Sequence, residues 1–164
     1  MAASLTSLVN QRMACARMLL ADVADARSPV HSKALLDACV FHLCCGYRFY
    51  IKELSSYYGV KYVDHLQDEE AAAKALSQID KHPAEVQELC HLAEQADSWL
   101  SQLRALFEET WQVPQAETTP AVNTIALTNL DKTVIPELDA DLIAAFIAKF
   151  QEVVDRQRET TVEC

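Results

Sequence analysis

The sequence predicts a single all-α domain over residues 1–164: an antiparallel helical bundle of about five helices with one long ordered loop. A chain of 164 residues suits one domain with a substantial buried core. Hydrophobic residues make up 51% of the chain and only two residues are glycine, a composition that favours helix over sheet. Apolar residues also recur with helical periodicity in several long segments.

The first helix is predicted over residues 3–26. Arg12 lies near the middle of its apolar stripe, which consists of Leu5, Leu8, Val9, Ala16, Leu19, Leu20 and Val23. Ser28 followed by Pro29 is typical of a helix N-cap and the first helical position. We therefore expect the first two helices to form an antiparallel hairpin across a short break.

The second helix is predicted over residues 30–58 and at the centre of the bundle, because residues 38–51 are apolar around most of its circumference. Its polar line is predicted along Lys33, Asp37, Arg48 and Ser55. Its deepest face is predicted to carry Leu35, Cys39, His42, Gly46, Tyr50, Glu53 and Tyr57. Gly46 costs about 1 kcal/mol in mid-helix relative to alanine, which predicts close approach of a neighbouring helix. Gly59 after Tyr58 predicts the end of this helix.

Further helical segments are predicted over residues 68–80, over residues 84–112, and after Pro136 to about residue 159. Asp97 or Ser98 is a candidate N-cap that would split the second of these segments, and the sequence leaves that break open. Residues 113–136 contain three prolines and are predicted to form an ordered loop over the bundle. Loops of this length are often functional.

Charge and cysteine usage narrow the function classes. Residues 1–60 carry a net charge of +2 and residues 61–164 a net charge of −12. An acidic chain without a basic stripe repels phosphate backbones, so no nucleic-acid partner is expected. The sequence contains no run of 18 apolar residues, so no membrane span is predicted. The six cysteines lie mostly in apolar settings and form no Cys-x-x-Cys pair, which favours reduced thiols and a cytoplasmic location.

The candidate polar centre consists of Arg12, His42 and Glu53, three ionisable residues predicted to point inward. Across an antiparallel hairpin, Arg12 should lie beside His42, whereas Glu53 lies about 16 Å farther along the helix axis. A buried charge needs a partner, so an acid on this hairpin or on residues 84–112 is expected near Arg12. The centre is interpreted either as a functional site or as a structural ion pair with a hydrogen-bonded histidine, and no catalytic residue is predicted.

A metal site was weighed at Cys39, His42 and Cys45, with Cys90 or His91 as a fourth ligand. Zinc accepts these ligand types, but its familiar sites use closely spaced pairs in turns, so hydrophobic core thiols are the preferred interpretation. The chain also lacks a Gly-rich phosphate loop, a Gly-x-Ser-x-Gly motif and a His-Glu-x-x-His motif. We therefore predict no metal and no cofactor, and an enzyme is the less favoured class.

Several local strings resemble a family of small helical proteins of gammaproteobacteria that is classed only as a domain of unknown function. The strings are Asn10-Gln11, the run Ala-Cys-Val-Phe-His-Leu at 38–43, Glu53, Tyr57-Tyr58, Ser98-Trp99-Leu100, Asn-Thr-Ile-Ala at 123–126 and Arg-Gln-Arg-Glu at 156–159. The resemblance implies an all-helical bacterial protein. It implies no activity, cofactor or site.

The favoured function is a cytosolic, non-enzymatic interaction or structural protein that uses an apolar groove under the 113–136 loop, with a protein partner or as a homodimer. The alternative is a small enzyme or ligand-binding bundle with its polar centre at Arg12 and His42. An enclosed cavity reaching those two residues would favour the alternative. A filled core with an exposed apolar patch would favour an interaction protein.

Overall fold

The computed structural model describes residues 4–112 and 135–162, with side chains described up to residue 160. All regular elements in these ranges are helical, which confirms the all-α prediction. They are α1 (Leu5–Asp22), a 3-10 turn (Val23–Asp25), α2 (Pro29–Tyr57), α3 (Glu69–Ser77), α4 (Ala84–Glu94), α5 (Trp99–Glu109) and α6 (Ala140–Val162).

α1 and α2 form the predicted hairpin. Ser28 caps α2, because its hydroxyl accepts a hydrogen bond from the His31 amide at 3.1 Å, and Pro29 is the first helical residue. Ser4 caps α1 in the same way through the Ser7 amide at 3.1 Å. α1 buries Val9, Met13 and Ala16 against α2, so the predicted apolar stripe is the face that packs.

α2 is the central helix, in contact with α1, α3, α5 and α6. By length and composition it could cross a membrane, and half of its most apolar window is buried inside the bundle. Two positions were predicted wrongly. Ser55 is fully buried rather than on the polar line, and Tyr57 is 50% exposed rather than deep, because α2 packs on several sides and no single stripe describes its burial.

Both glycines occupy the positions that the sequence predicts. A Cβ atom on Gly46 would lie 3.3 Å from Arg12 Cβ in α1 and 3.3 Å from Phe150 Cε1 in α6, so two helices approach α2 there. Gly59 has a φ of +99° directly after α2, and its amide donates to the Ser56 carbonyl. That left-handed conformation ends the helix at little cost only in glycine.

The segment over residues 84–112 is split by Ser98, which settles the break that the sequence left open and gives six helices rather than about five. The Ser98 hydroxyl accepts the Ser101 amide at 3.0 Å and thereby caps α5. The Ser101 hydroxyl donates to the Ala93 carbonyl at 2.8 Å, which satisfies a backbone acceptor at the end of α4.

Of the predicted ordered loop over residues 113–136, residues 113–134 lie outside the described residues. α6 begins at Ala140, a few residues later than predicted, and its Asp139 side chain accepts the Leu142 amide at 2.7 Å. α6 completes the core with Phe150, which is 1% exposed. Its ring is stacked on Trp99 at 5.6 Å and meets the edges of Tyr47 and Tyr50 at about 6 Å.

Candidate functional site

Arg12 and His42 meet across the α1–α2 hairpin. Arg12 Nη1 lies 3.2 Å from His42 Nδ1, and the guanidinium carbon lies 5.9 Å from the centre of the Phe49 ring. Because arginine only donates, His42 Nδ1 must accept, which requires a neutral imidazole with its proton on Nε2. Burial and the neighbouring Arg12 charge both lower the pKa of His42, in agreement with that neutral form.

The expected acidic partner of Arg12 is absent from the described residues: none of their ion pairs includes Arg12. Its Nε is also buried without a hydrogen-bond partner. The contact with His42 and the face of Phe49 replace the predicted ion pair. The three cavities described below do not reach Arg12 or His42.

Glu53 belongs to a separate network at the other end of α2. Its carboxylate accepts hydrogen bonds from Arg158 Nε and Nη2, both at 2.9 Å, and from the Thr6 hydroxyl at 3.0 Å. Arg158 Nη1 also donates to the Asn10 side chain at 3.0 Å. This arrangement ties α1, α2 and α6 together by a two-point arginine–carboxylate contact.

A cleft of about 330 Å³ opens beside this network. Behind it, the hydroxyl of Tyr50 donates to Gln157 at 2.6 Å, and Gln157 donates to Glu88 at 2.9 Å. Tyr50 and Gln157 are each 1% exposed. Burial is the main cause that raises the pKa of Tyr50, so its phenol stays neutral. These polar groups satisfy one another, which is the expected role of a structural network that joins α2, α4 and α6.

A third polar cluster, which the sequence did not predict, joins α2, α3 and α5. Glu69 is 5% exposed, and its carboxylate accepts the Tyr47 hydroxyl at 2.8 Å and Arg104 Nη1 at 2.5 Å. Burial, followed by the Glu69 charge, raises the pKa of Tyr47 well above its usual value. Glu69 lies in the first turn of α3, where acids are common for electrostatic reasons, so nothing local marked it as buried.

This cluster forms one wall of a second cavity of about 220 Å³, which we call the α5 pocket. Its apolar side chains include Leu100, Leu103 and Phe107. Four charged side chains also line it, two of each sign: Arg48, Arg104, Asp68 and Glu108. The pocket therefore combines an apolar surface with balanced charge.

Three aromatic side chains form a surface feature that we call the aromatic ridge: Phe41, Phe107 and Trp111. Phe107 lies between the other two, with ring centres 6.5 Å from Phe41 and 6.0 Å from Trp111. Phe41 is 45% exposed and Trp111 72% exposed. The Arg48 guanidinium lies over the Phe107 ring at 5.8 Å. The ridge is formed by α2, α5 and the turn that follows α5, and it shares Phe107 with the α5 pocket.

The apolar groove predicted under the 113–136 loop corresponds to a depression of about 1170 Å³ between α2 and α5, with Leu36 and Leu106 among its lining residues. Gln112 and Ile135 also line it. The predicted groove under the 113–136 loop stays a prediction, because residues 113–134 lie outside the described residues.

The cysteines of the predicted metal alternative do not form a ligand cluster. In the described part of the chain, no three His, Cys, Asp or Glu side chains are placed to hold a metal ion. Cys39 donates to the Ala16 carbonyl at 3.4 Å, and burial raises its pKa to about 11. Burial similarly raises the pKa of Cys44 to about 12, so both thiols are protonated at neutral pH and are poor nucleophiles and ligands.

Comparisons with known proteins give a family but no activity. Neither the curated proteins nor the solved structures contain a match to this chain. A model of a family of unknown function, DUF6586, matches residues 1–164. Because that match spans the whole sequence, the chain belongs to the family of unknown function DUF6586.

Proposed function

We propose that this protein is a non-enzymatic structural protein of the cytosol that assembles with a second copy of itself through the aromatic ridge. The single observation that carries the proposal is the row of three aromatic rings in which exposed Phe41 and Trp111 flank the half-buried Phe107. Large apolar side chains grouped on a surface mark interaction sites far more often than the same side chains scattered singly.

The ridge differs from the other exposed apolar side chains. Met18 and Tyr62 are 70% and 82% exposed, but they lie apart, on α1 and in the α2–α3 connection. Aromatic residues are enriched at the centres of protein interfaces because they bury much area with few rotatable bonds. The rigid α2–α5 pair that carries the ridge suits such an interface.

The charges around the ridge favour a second copy as the partner. Arg48 is exposed and its guanidinium lies over Phe107, whereas Glu109 lies in the last turn of α5, whose C-terminus carries the negative end of the helix dipole. A two-fold axis between Phe107 and Trp111 would place Arg48 of one copy beside the C-terminal end of α5 of the other. Such self-complementarity is what an isologous interface requires.

The cytosolic part of the proposal rests on the thiols and on α2. Five cysteines in the described ranges are free, as expected in a reducing compartment. The most apolar window of α2 is half buried among other helices, which supports a water-soluble bundle over a membrane span.

The alternative, an enzyme or ligand-binding bundle centred on Arg12 and His42, has weaker support. His42 Nδ1 faces the Arg12 guanidinium and is not available to abstract a proton from a substrate. The contact is also not part of the three cavities described above.

Light scattering coupled to size-exclusion chromatography tests the proposal. The expected mass is twice that of the 18.3 kDa chain at high concentration, falling toward one chain on dilution. The double variant Phe41→Ala/Trp111→Ala should weaken the dimer by about tenfold or more, because central aromatic side chains dominate interface energies.

The matched control is Met18→Ala/Tyr62→Ala, which removes equally exposed apolar side chains outside the ridge and should leave the dimer unchanged. Circular dichroism of all variants checks that the helices remain folded. A wild-type chain that stays monomeric at every concentration would overturn the proposal, as would a dimer insensitive to the ridge variant.

A further inference from the structure

We propose that the α5 pocket binds a small zwitterion with an apolar body, of the size and charge pattern of a free α-amino acid such as leucine. The pocket shares Phe107 with the aromatic ridge and includes Arg48, which lies over that ring, whereas Phe41 and Trp111 do not line it.

The size and apolar surface of the pocket limit the ligand to a small molecule. Its volume of about 220 Å³ is below the roughly 300–1,000 Å³ typical of drug-sized ligands. The half-buried Phe107 ring supplies the exposed apolar surface of the lining, and Leu100 and Leu103, which are 0% and 1% exposed, lie behind that surface. A branched or aromatic side chain suits that surface.

Two arginines supply the positive side. Arg104 uses Nη1 to bind Glu69, and the structure records no other hydrogen bond from its guanidinium to a described residue. Arg48 lies over Phe107 and has no ion pair within residues 4–112 and 135–162. Guanidinium groups with free N–H donors are the side chains best suited to a ligand carboxylate.

Two acids supply the negative side. Glu108 is exposed and has no ion pair with a described residue. Asp68 caps α3 with Oδ1, which accepts the Ala71 amide at 2.9 Å, and this leaves its second oxygen for a ligand. The pocket contains two positive and two negative side chains, so a simple anion is repelled by the two acids and a simple cation by the two arginines. A ligand that carries both charges can place each one beside side chains of the opposite sign and avoids this repulsion.

The buried Tyr47–Glu69–Arg104 cluster holds the positive side in place. Glu69 and Tyr47 are 5% and 4% exposed, and their hydrogen bonds fix the carboxylate that Arg104 binds. A guanidinium held in this way loses little freedom when a ligand binds, which is a general source of affinity.

Isothermal titration calorimetry and amide chemical-shift mapping, with L-leucine as the probe, test the inference. Saturable binding is expected, with shifts centred on Leu100, Leu103 and Phe107. N-acetyl-L-leucine lacks the ammonium and L-leucinamide lacks the carboxylate, so each should bind about tenfold more weakly or worse, as expected for a lost charge-assisted contact.

The variant Asp68→Asn/Glu108→Gln removes the negative side while asparagine keeps the α3 cap. It should bind L-leucine about tenfold more weakly and no longer prefer it over N-acetyl-L-leucine. The ridge variant Phe41→Ala/Trp111→Ala should retain L-leucine binding whether or not it dimerises, so the two proposals fail separately. Absence of saturable binding, equal binding of the capped analogues, or shifts centred outside the pocket would overturn the inference.

Discussion

Glu53 and Glu69 illustrate how this bundle stabilises partly buried carboxylates at the residue scale. Each receives an arginine from a helix distant in sequence, and each receives one hydroxyl, from Thr6 and Tyr47 respectively. A buried carboxylate without such partners is costly, because it gives up its hydration and gains nothing in return. Removing a partner should therefore cost more stability than the ion pair itself contributes.

Removing Arg104 should expose this dependence. The variant Arg104→Met leaves Glu69 buried with only Tyr47 as a partner, and we expect a loss of about 2 kcal/mol in the free energy of unfolding. This value is below the roughly 3–5 kcal/mol of fully buried pairs because the Arg104 side chain is 44% exposed. Urea denaturation measures the loss.

Two controls accompany that measurement. Lys33→Met breaks the exposed pair with Asp37 and should cost less than about 1 kcal/mol. Adding Glu69→Gln to Arg104→Met should restore part of the lost stability, since the buried charge is gone. An Arg104→Met variant no less stable than Lys33→Met would contradict this account of Glu69.

His42 gives a pH dependence with a defined sign. The pKa of His42 in the folded protein lies below the ordinary value of 6.5 because of burial and the Arg12 charge. When the pH falls below about 6.5, His42 therefore takes up a proton more readily in the unfolded chain than in the folded one. Stability should therefore fall as pH drops below about 6.5, until the lowered folded-state pKa is reached.

Thermal unfolding as a function of pH measures this effect, and His42→Gln is the matched variant because glutamine can still accept from Arg12 but does not titrate. The difference in stability between wild type and variant should shift in favour of the variant as pH falls. A difference that stays constant between neutral and acidic pH would show that His42 does not titrate as described.

At the element scale, α2 contacts four of the other helices, and Gly46 is a point where two of them, α1 and α6, approach it closely. The sequence predicted this glycine contact and both ends of the helix, because Ser28, Pro29 and Gly59 act through local backbone chemistry. It could not predict the burial of Ser55 or the exposure of Tyr57. Those depend on how many helices surround the end of α2, which is a tertiary property.

Substitutions at Gly46 test the close approach. In an open helix Gly→Ala gains about 1 kcal/mol, but here the new methyl lies 3.3 Å from Arg12 Cβ and from the packed Phe150 ring. We expect overpacking to outweigh the helical gain, giving a net loss of about 1 kcal/mol for Gly46→Ala and a larger loss for Gly46→Leu. Chemical denaturation provides both values, and a Gly46→Ala protein that is more stable than wild type would disprove the tight contact.

At the scale of the whole molecule, the sequence predicted the all-α fold and the proximity of Arg12 to His42, because the α1–α2 hairpin follows from local signals. It did not predict the partners of Glu53 or Glu69. Arg158 lies 105 residues from Glu53 and Arg104 lies 35 from Glu69, and their pairing depends on how α5 and α6 dock on α2. Helical periodicity identifies a face of each helix but not which faces meet.

The aromatic ridge has the same origin. The contact of α5 with the rest of the bundle buries Leu103 and Leu106, whereas Trp111, which follows α5, is 72% exposed. A surface of this kind beside balanced charges is the main reason to regard the molecule as one half of a symmetric pair.

The most direct test of that claim is an isotope-filtered NOE experiment on a mixture of labelled and unlabelled protein, which detects only contacts between two copies. The account predicts intermolecular cross-peaks that join the Trp111 and Phe41 rings of one copy to the ridge of the other, with Arg48 near the end of α5. A concentrated sample without intermolecular cross-peaks, or with cross-peaks confined to α1 or α6, would contradict it.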